Sequence, residues 1–360
     1  MMKRRVMMLS GGAAAALSFP AVAQDAPKVR WRMPSSFPKS LDTVYGGATA
    51  IAAIVSELTE GRFEITPSGG GELVPPLAVL DAVQNKTVEC GHTAGFYYVG
   101  KESALAFDTG VPFGMTPRQH LAWMQQGGGA ALMNEVYAKF NVIQIPCGNT
   151  GAQMGGWFRA EIKSPKDFEG LRMRVPGLLG KVYAKLGAIP QQLAGSDVYP
   201  SLEKGVLDAA EFVGPYDDEK LGLAKVARYY YAPGVMEMGA SLGLVINRAA
   251  WDALPMGYQA ALRAACAQAN SDMLAKYDAR NIPALKRIVA SGAKLSFWPR
   301  PVMDAMYRAT LEVMKDESAA NPVFAKVYTQ WRGFLDDLQF WASINDATAE
   351  QYLLSVRNKS

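Results

Sequence analysis

Two arginines separated by one residue are the strongest candidates for chemistry in this sequence. Arg172 and Arg174 alternate with apolar residues in the run LRMRV, residues 171–175. In an extended strand, this alternation places both guanidinium groups on one face and the apolar side chains on the other. Two cations on one face suggest a site for an anion. The alternative is that both are ordinary solvated strand residues, since most arginines are exposed.

The residues around this strand favour a ligand site. A Pro-Gly pair follows it, and the apolar pattern of residues 179–186 then predicts a helix. Arg174 would therefore lie near the carboxyl end of a strand in a βα unit, where open α/β sheets bind ligands. Upstream, glycines let the backbone approach a ligand, and polar side chains between them can hydrogen-bond it. These polar residues are Asn149, Thr150 and Gln153.

An acidic residue stands inside an apolar run farther along the chain. The pattern of residues 207–213 predicts a strand over residues 209–213 that carries Glu211 towards its carboxyl end. A single Glu is usually a solvated surface residue. The apolar neighbours, and the Gly-Pro pair that follows, favour instead a buried carboxylate with a partner.

Four sequence blocks resemble one family of binding proteins. The run LRMRV is similar to the pattern L-[KR]-[MI]-R-V of the extracytoplasmic solute-binding proteins of tripartite ATP-independent periplasmic (TRAP) transporters. The similarity is closest to the branch that binds 2-oxo acids. It lies in the blocks WRMPSSFPKSLDT (residues 31–43), GNTGAQMGGWFR (148–159) and EFVGPYDDEKLG (211–222), and covers essentially the whole chain after the first 23 residues.

The resemblance implies a site for a small 2-oxo monocarboxylate such as pyruvate. It implies that Arg174 anchors the carboxylate of the ligand and that Arg172 points elsewhere. Asn149 is a further expected donor to the substrate, and Tyr98 is the expected phenol in the cleft. Phe212 stands where close relatives carry Trp, which leaves the size of the ligand open.

The same resemblance implies a monovalent cation beside the ligand, which we expect to be sodium. The expected ligands of the cation are the side-chain carbonyl of Gln153, the carboxylate of Glu211 and the main-chain carbonyl of Phe212. Glu237 is a further expected cleft residue, for the cation or for the substrate, and Gln153 and Phe212 are expected to contact the substrate as well. Oxygen ligands fit a hard cation but do not distinguish sodium from calcium.

Other functions stay open at this point. A TRAP receptor for lactate, another 2-hydroxy acid or a C4-dicarboxylate is the main alternative, followed by a periplasmic sensory module and an enzyme that acts on 2-oxo acids. An enzyme is disfavoured because the chain has two histidines, His92 and His120, and lacks the common metalloprotease, redox, hydrolase and dinucleotide-binding motifs. The resemblance implies delivery of the ligand to the TRAP membrane permease.

The first residues predict export to the periplasm. A basic start, an apolar stretch and the sequence Ala21-Val22-Ala23 are typical of a signal peptide, residues 1–23, that is cleaved before Gln24. The segment holds three of the 37 basic residues and none of the 33 acidic ones, which leaves a net charge near +1. Nucleic acid is therefore an unexpected partner. No later apolar run reaches 18 residues, so we expect no membrane span after processing.

The order of predicted elements gives an α/β fold of two hinge-connected lobes, like a type II periplasmic binding protein, with a C-terminal helical extension. The expected first lobe comprises residues 24–150 and about 238–275, and the second comprises residues 151–237 and about 276–320. Helices are predicted over residues 258–276, running on past Asp278, then over 281–290 and 301–317. The three cysteines, Cys90, Cys147 and Cys266, are expected to be buried, with a single bridge left open.

The C-terminal segment, residues 321–360, carries an apolar face too rich to leave exposed on a terminal helix. It must be covered either by the body of the protein or by another subunit. The resemblance to dimeric family members implies a homodimer built on this segment.

Overall fold

The structure, a computed structural model, describes residues 27–234 and 238–357. The predicted signal peptide and Glu237 lie outside the described residues. Within those residues the chain forms eleven strands and thirteen α-helices. The strands are β1 (Val29–Pro34), β2 (Phe63–Ser68), β3 (Cys90–Thr93), β4 (Val142–Asn149), β5 (Gly156–Phe158), β6 (Arg172–Arg174), β7 (Ile189–Gln191), β8 (Ala209–Ala210), β9 (Tyr229–Ala232), β10 (Ser241–Asn247) and β11 (Lys294–Phe297).

The helices fill the connections between these strands and form the C-terminal part of the chain. They are α1 (Gly46–Leu58), α2 (Val79–Gln84), α3 (Ala106–Thr109), α4 (Pro117–Gln126), α5 (Gly129–Ala138), α6 (Gly177–Lys185), α7 (Gly195–Glu203), α8 (Pro215–Leu221), α9 (Arg248–Asp252), α10 (Met256–Ala290), α11 (Arg300–Ala320), α12 (Pro322–Ile344) and α13 (Asp346–Arg357).

The first lobe contains two small sheets. Strands β1 and β2 pair in parallel, and β10 pairs antiparallel with both β3 and β4. All seven residues of β10 are buried, as expected for a central strand with a continuous apolar run. An isolated bridge between Ser35 and His92 joins the two sheets at the end of β1.

The second lobe is built on one sheet of six strands in the order β11-β9-β5-β8-β6-β7. Strand β6 runs parallel to both of its neighbours, β7 and β8, whereas β5 is antiparallel to β8 and β9. Arg174 therefore ends a strand that is paired on both sides, so the backbone fixes its position. The helix α6 begins three residues later and packs against α11 on this lobe.

The chain passes from the first lobe to the second between β4 and β5 and returns between β9 and β10. The long helix α10 then packs against α1 and β4 of the first lobe and against α8 of the second. The predicted division of this region into two helices is wrong, because α10 continues through Pro283. Tyr277, Ala284 and Ile288 are buried along its length. Their packing stabilises one continuous helix, although the proline removes one helical hydrogen bond.

The cysteines and the C-terminal helices show how the apolar residues are distributed. All three cysteines are buried and none is in a disulfide. The first half of α12 packs against the first lobe through Phe324, Val327, Trp331 and Leu335. Beyond it, seven large apolar side chains of α12 and α13 are between 41% and 70% exposed, namely Phe340, Trp341, Ile344, Tyr352, Leu353, Leu354 and Val356. The protein's own body thus covers about half of this apolar face.

Candidate functional site

The structure gives the two arginines of β6 different surroundings. The side chain of Arg172 is 42% exposed and forms a bidentate ion pair with Asp208. Its Nε atom lies 2.8 Å from Oδ2 and its Nη2 atom 2.6 Å from Oδ1 of that carboxylate. Arg174, at the carboxyl end of the strand, is 1% exposed. Because an unpaired buried charge is costly, Arg174 must find partners inside the protein. Arg174 is therefore the one built into the interior.

The guanidinium of Arg174 is held by the segments on either side of its strand. Nε donates to the main-chain carbonyl of Leu193 at 3.1 Å, and Nη1 donates to the main-chain carbonyl of Glu211. The ring of Phe212 lies against the guanidinium, and the Cζ atom of Arg174 is 5.2 Å from the centroid of that ring. In residues 27–234 and 238–357 no acceptor bonds to Nη2, so one arm of the fork remains for another anion.

Glu211 follows directly after β8 and is 3% exposed. Its amide donates to the main-chain carbonyl of Arg174 at 3.0 Å, which continues the pairing of β6 with β8 by one residue. The carboxylate oxygen Oε2 lies 3.5 Å from Nη1 of Arg174. Glu211 is thus buried with a partner, as the sequence predicts. The predicted strand over residues 209–213 is too long, because the pairing partners of β8 end at Trp157 and Arg174.

A small cavity lies between the lobes beside Arg174. It has a volume of about 20 Å³, room for about one water. Among the lining residues within 27–234 and 238–357, Arg174 is the single charged side chain, Thr150 and Gln153 are polar, and the rest are apolar or aromatic. The apolar and aromatic residues are Phe37, Val44, Phe96, Tyr97, Phe212, Val213, Ala240 and Leu242.

The turn after β4 brings the predicted amide residues to this region. Gln153 donates from Nε2 to the Thr150 hydroxyl at 2.9 Å, and that hydroxyl accepts the amide of Ala240 at 3.0 Å. Both Gln153 and Thr150 line the cavity. Asn149 is buried and accepts the amide of Gly151 on Oδ1 at 2.9 Å, but it is not among the lining residues. The structure thus brings Gln153, Glu211 and Phe212 together around Arg174.

Tyr98 lies away from the cavity lining. Its hydroxyl accepts the amide of Leu80 at 3.2 Å and shares a hydrogen bond of 2.8 Å with the hydroxyl of Thr93. Burial raises the pKa of Tyr98 to about 12, which keeps the phenol neutral. The two preceding aromatic residues, Phe96 and Tyr97, line the cavity instead. All three lie in one 3₁₀ turn, Gly95–Tyr98, so no periodicity in the sequence could show which of them lines the cavity.

Two buried carboxyl groups support the segment that carries Glu211 and Phe212. Asp217 accepts the hydroxyl of Tyr277 on α10 at 2.5 Å, and Asp218 accepts the hydroxyl of Tyr230 at 2.7 Å and the indole N–H of Trp157 at 3.0 Å. Burial raises the pKa of Asp217 to about 7 and that of Asp218 to about 6, and these hydrogen bonds oppose the rise. The segment is thereby fixed to both the sheet and the long helix.

The oxygen atoms around Arg174 are of the kind that hard cations prefer. They are the Glu211 carboxylate, the Gln153 side-chain amide and the main-chain carbonyl of Phe212, which accepts no hydrogen bond from the described residues. No cluster of three or more His, Cys, Asp or Glu side chains suited to a metal occurs in the described part of the chain. Nor does any helix there have the length and apolar character needed to cross a membrane.

Comparison with known proteins identifies the family of the chain. Residues 35–320 match the model of the DctP family, bacterial extracellular solute-binding protein family 7. A similar curated relative is the monocarboxylate 2-oxoacid-binding periplasmic protein of Nostoc sp. (strain PCC 7120). It is 49% identical over 329 residues, which cover 91% of this chain and 90% of the relative.

Two solved structures of TRAP solute-binding proteins are also similar. The first, from Bordetella bronchiseptica, is 50% identical to this chain and has a TM-score of 0.91. The match covers 92% of this chain and 99% of that protein, which is a dimer with calcium and picolinate bound. The second, from Pseudoalteromonas atlantica, has bound sodium and pyruvate and is 34% identical with a TM-score of 0.87 over 90% and 99% of the two chains. The chain therefore belongs to the DctP family and is a solute-binding protein of the TRAP type with the two-lobed fold.

Proposed function

We propose that this protein captures a small 2-oxo monocarboxylate, pyruvate or a close homologue, together with a sodium ion, and delivers it to a TRAP permease. Arg174 binds the ligand carboxylate through the free arm of its fork. Glu211, the side-chain carbonyl of Gln153 and the main-chain carbonyl of Phe212 hold the cation. Asn149, Tyr98 and Glu237 stay predicted contributors, and of these Glu237 lies outside the described residues.

The observation that carries this proposal is the charge balance at Arg174. Among the described residues, Arg174 is the single charged one that lines the cavity, and its charge is already matched by Glu211 at 3.5 Å. A carboxylate that enters would leave one negative charge in a buried site, which is costly unless a cation enters with it. One sodium ion balances the site, whereas calcium would leave one positive charge among these groups. The 2-oxo group supplies a neutral oxygen that can share the cation with the carboxylate.

The apolar wall of the cavity narrows the choice of ligand further. A dicarboxylate would bring a second negative charge against Phe37, Phe96 and Leu242, and in the described part of the chain no cationic side chain besides Arg174 lines the cavity. Burying that charge without a partner is unfavourable. A 2-hydroxy acid such as lactate offers the same single charge, so the contrast between lactate and pyruvate depends on the oxygen that faces the cation.

Titration calorimetry with a panel of acids tests the proposal. We expect pyruvate to bind more tightly in sodium chloride than in choline chloride at equal ionic strength, and more tightly than lactate or succinate. Tighter binding of succinate would show a dicarboxylate receptor. Equal binding of pyruvate in both salts would remove the cation from the proposal, and calcium chloride in a third series distinguishes the two cations. A nuclear magnetic resonance spectrum of pyruvate that stays unchanged on incubation with the protein would separate binding from turnover.

We propose that the protein acts in the periplasm, as the names of its relatives indicate. Transport further requires that the two lobes close on the ligand. The cavity of about 20 Å³ has room for about one water, so a three-carbon acid enters only when the lining moves apart. A ligand that contacts both lobes then stabilises their closed arrangement, which the permease can recognise.

A group of polar contacts at the edge of the cleft ties the lobes together. Asp42 lies between β1 and α1 in the first lobe. Its carboxylate contacts the ammonium group of Lys220 and accepts the hydroxyl of Tyr216 at 3.2 Å, both on α8, and lies 3.3 Å from Nη1 of Arg280 on α10. The cations of Lys220 and Arg280 also pack on the ring of Tyr216, at 4.5 and 5.1 Å. Of these contacts, those made by Asp42 join the two lobes, so we expect them to form only when the lobes are together.

Replacement of Asp42 by Asn should therefore weaken ligand binding without any contact to the ligand. Because the charged side chains are between 28% and 50% exposed, we expect the dissociation constant for pyruvate to rise about two- to fivefold, mainly through faster dissociation. Stopped-flow fluorescence measures the rate. Glu64→Gln, which removes the exposed ion pair with Arg30 inside the first lobe, is the matched control and should leave the rate unchanged. An Asp42→Asn variant with unaltered dissociation would contradict a role in closure.

We also propose that a second copy of this chain covers the exposed apolar side chains of α12 and α13. Phe340, Trp341 and Ile344 are 70%, 59% and 57% exposed, and contiguous apolar surface of this kind is typical of an interface. The similar protein of Bordetella bronchiseptica is a dimer.

The double substitution Trp341→Ser and Ile344→Ser should convert the dimer to a monomer, because it places hydroxyl groups in the apolar contact. Light scattering after size-exclusion chromatography measures the mass. Phe297→Ser, at an equally exposed aromatic residue on β11, is the control and should keep the mass of the dimer. A wild-type protein that is monomeric at micromolar concentration would refute this part of the proposal.

A further inference from the structure

The ring of Phe212 forms the part of the cavity wall next to the anchoring arginine. It is 6% exposed, lines the cavity and lies against the guanidinium of Arg174. If Arg174 binds the ligand carboxylate, the position of this ring sets how much space remains for the carbon chain of the ligand. What holds the ring in place is therefore a question of specificity.

Gly195, the first residue of α7, lies beside the far edge of this ring and is not among the cavity-lining residues. A Cβ atom added at residue 195 would lie 2.7 Å from Cε2 and 2.8 Å from Cζ of Phe212, closer than carbon atoms can approach without a shift. The backbone does not require a glycine here, because Gly195 is absent from the residues with positive φ. The ring of Phe212 instead occupies the space that a side chain at residue 195 would take.

We infer that Gly195 is a specificity-determining residue, which sets the length of 2-oxo acid that the site accepts by letting Phe212 pack back from the cavity. This inference rests on the function proposed above. A methyl group at residue 195 must displace the far end of the ring. Since the ring is buried, the cavity is the side on which it can move without expelling another side chain. The space lost is the space that the longer acyl chains need.

The test compares pyruvate with 2-oxobutyrate and 2-oxovalerate by titration calorimetry in sodium chloride. For Gly195→Ala we expect the affinity for 2-oxovalerate relative to pyruvate to fall by about tenfold or more, the usual effect of one or two methylene groups in a tight pocket. Phe212→Leu should change the ratio in the opposite direction. Gly257→Ala is the matched control, because no atom lies within 4 Å of a Cβ added at that residue.

The outcomes separate this inference from the function on which it rests. Binding of pyruvate to the wild-type protein tests the proposed function. The ratio of the affinities for 2-oxovalerate and pyruvate tests the role of Gly195. A Gly195→Ala variant that weakens all three acids equally, or none, would overturn the role of Gly195. If that variant does not fold, as judged by its circular dichroism and melting, Phe212→Leu alone decides, and an unchanged ratio overturns the inference.

Discussion

Replacement of Arg174 by Ala should nearly abolish ligand binding. In the described part of the chain, the guanidinium is the single charged group that lines the cavity, and its Nη2 atom has no acceptor there. Removing one partner of a buried charged pair leaves the other unpaired, which typically costs about 2–5 kcal/mol. We therefore expect the dissociation constant for pyruvate to rise by at least about 30-fold, measured by titration calorimetry.

Arg172→Ala is the internal control for this experiment. Arg172 lies two residues away on the same strand, but its charge is paired with Asp208 near the surface. Its replacement removes the same type of side chain and should leave the affinity for pyruvate nearly unchanged. Arg174→Lys keeps the charge but loses the planar fork, so it should bind pyruvate more weakly than the wild type and more tightly than Arg174→Ala. Equal losses for the substitutions at 172 and 174 would show that the carboxylate is bound elsewhere.

Arg174→Ala also removes the guanidinium beside the buried carboxylate of Glu211, so stability must be measured as well as affinity. Glu211 is 3% exposed, so its ionised form becomes costly once the guanidinium is gone. The variant should melt at a lower temperature than the wild type. A variant that is folded at the temperature of titration and still binds pyruvate normally would refute the assignment of Arg174.

The sequence could predict the position of Arg174 at the end of a strand, because the local pattern and the residues that follow it agree. Alternation in residues 171–175 predicts the strand, and the Pro-Gly pair after it places Arg174 at the carboxyl end. The distinction from Arg172 comes from Asp208, which is 36 residues away in sequence. No local pattern contains that pairing. The resemblance to the family supplied the distinction that periodicity could not.

The aromatic residues show where such reasoning stops. Phe96, Tyr97 and Tyr98 are consecutive and all buried, and they lie in a single 3₁₀ turn. Which of them meets the cavity depends on hydrogen bonds between Tyr98 and residues of the surrounding fold, Thr93 and Leu80. Phe37 and Leu242 reach the same cavity from distant parts of the chain. Their positions follow from how the lobes pack, which a single sequence read along its length does not contain.

The long helix α10 gives the same lesson for secondary structure. A proline at residue 283 is a local signal for a break, and Asn281 before it favours a cap. In the fold, Asn281 instead accepts the amide of Tyr216 at the start of α8, at 3.0 Å. The residue thus caps a helix distant in sequence while its own helix continues. Tertiary packing decides between the two readings, and it also positions the segment that carries Glu211.

Replacement of Glu211 by Gln should remove the dependence of binding on sodium. In the wild type, Glu211 balances Arg174 before the ligand enters, so the ligand carboxylate needs a cation as the fourth charge. With Gln at residue 211, Arg174 and the ligand carboxylate balance each other and the cation loses its anionic ligand. Calorimetry at increasing sodium, with choline keeping the ionic strength constant, should give a rising affinity for the wild type and a flat one for the variant.

The two curves of pyruvate affinity against sodium concentration, for the wild type and for Glu211→Gln, should also cross. A crossing distinguishes this mechanism from a general loss of structure. At high sodium the variant should bind pyruvate about ten- to a hundredfold more weakly, because the keto oxygen loses a charged partner worth about 1.5–3 kcal/mol. Without sodium it should bind no more weakly than the wild type, since the repulsion between two carboxylates is gone. Asp208→Asn, which neutralises a nearby carboxylate paired with Arg172, should keep the wild-type slope. A variant at residue 211 with that same slope would mean that the cation is held by other groups, because a ligand of the ion cannot lose its charge and leave the linkage between ion and substrate intact.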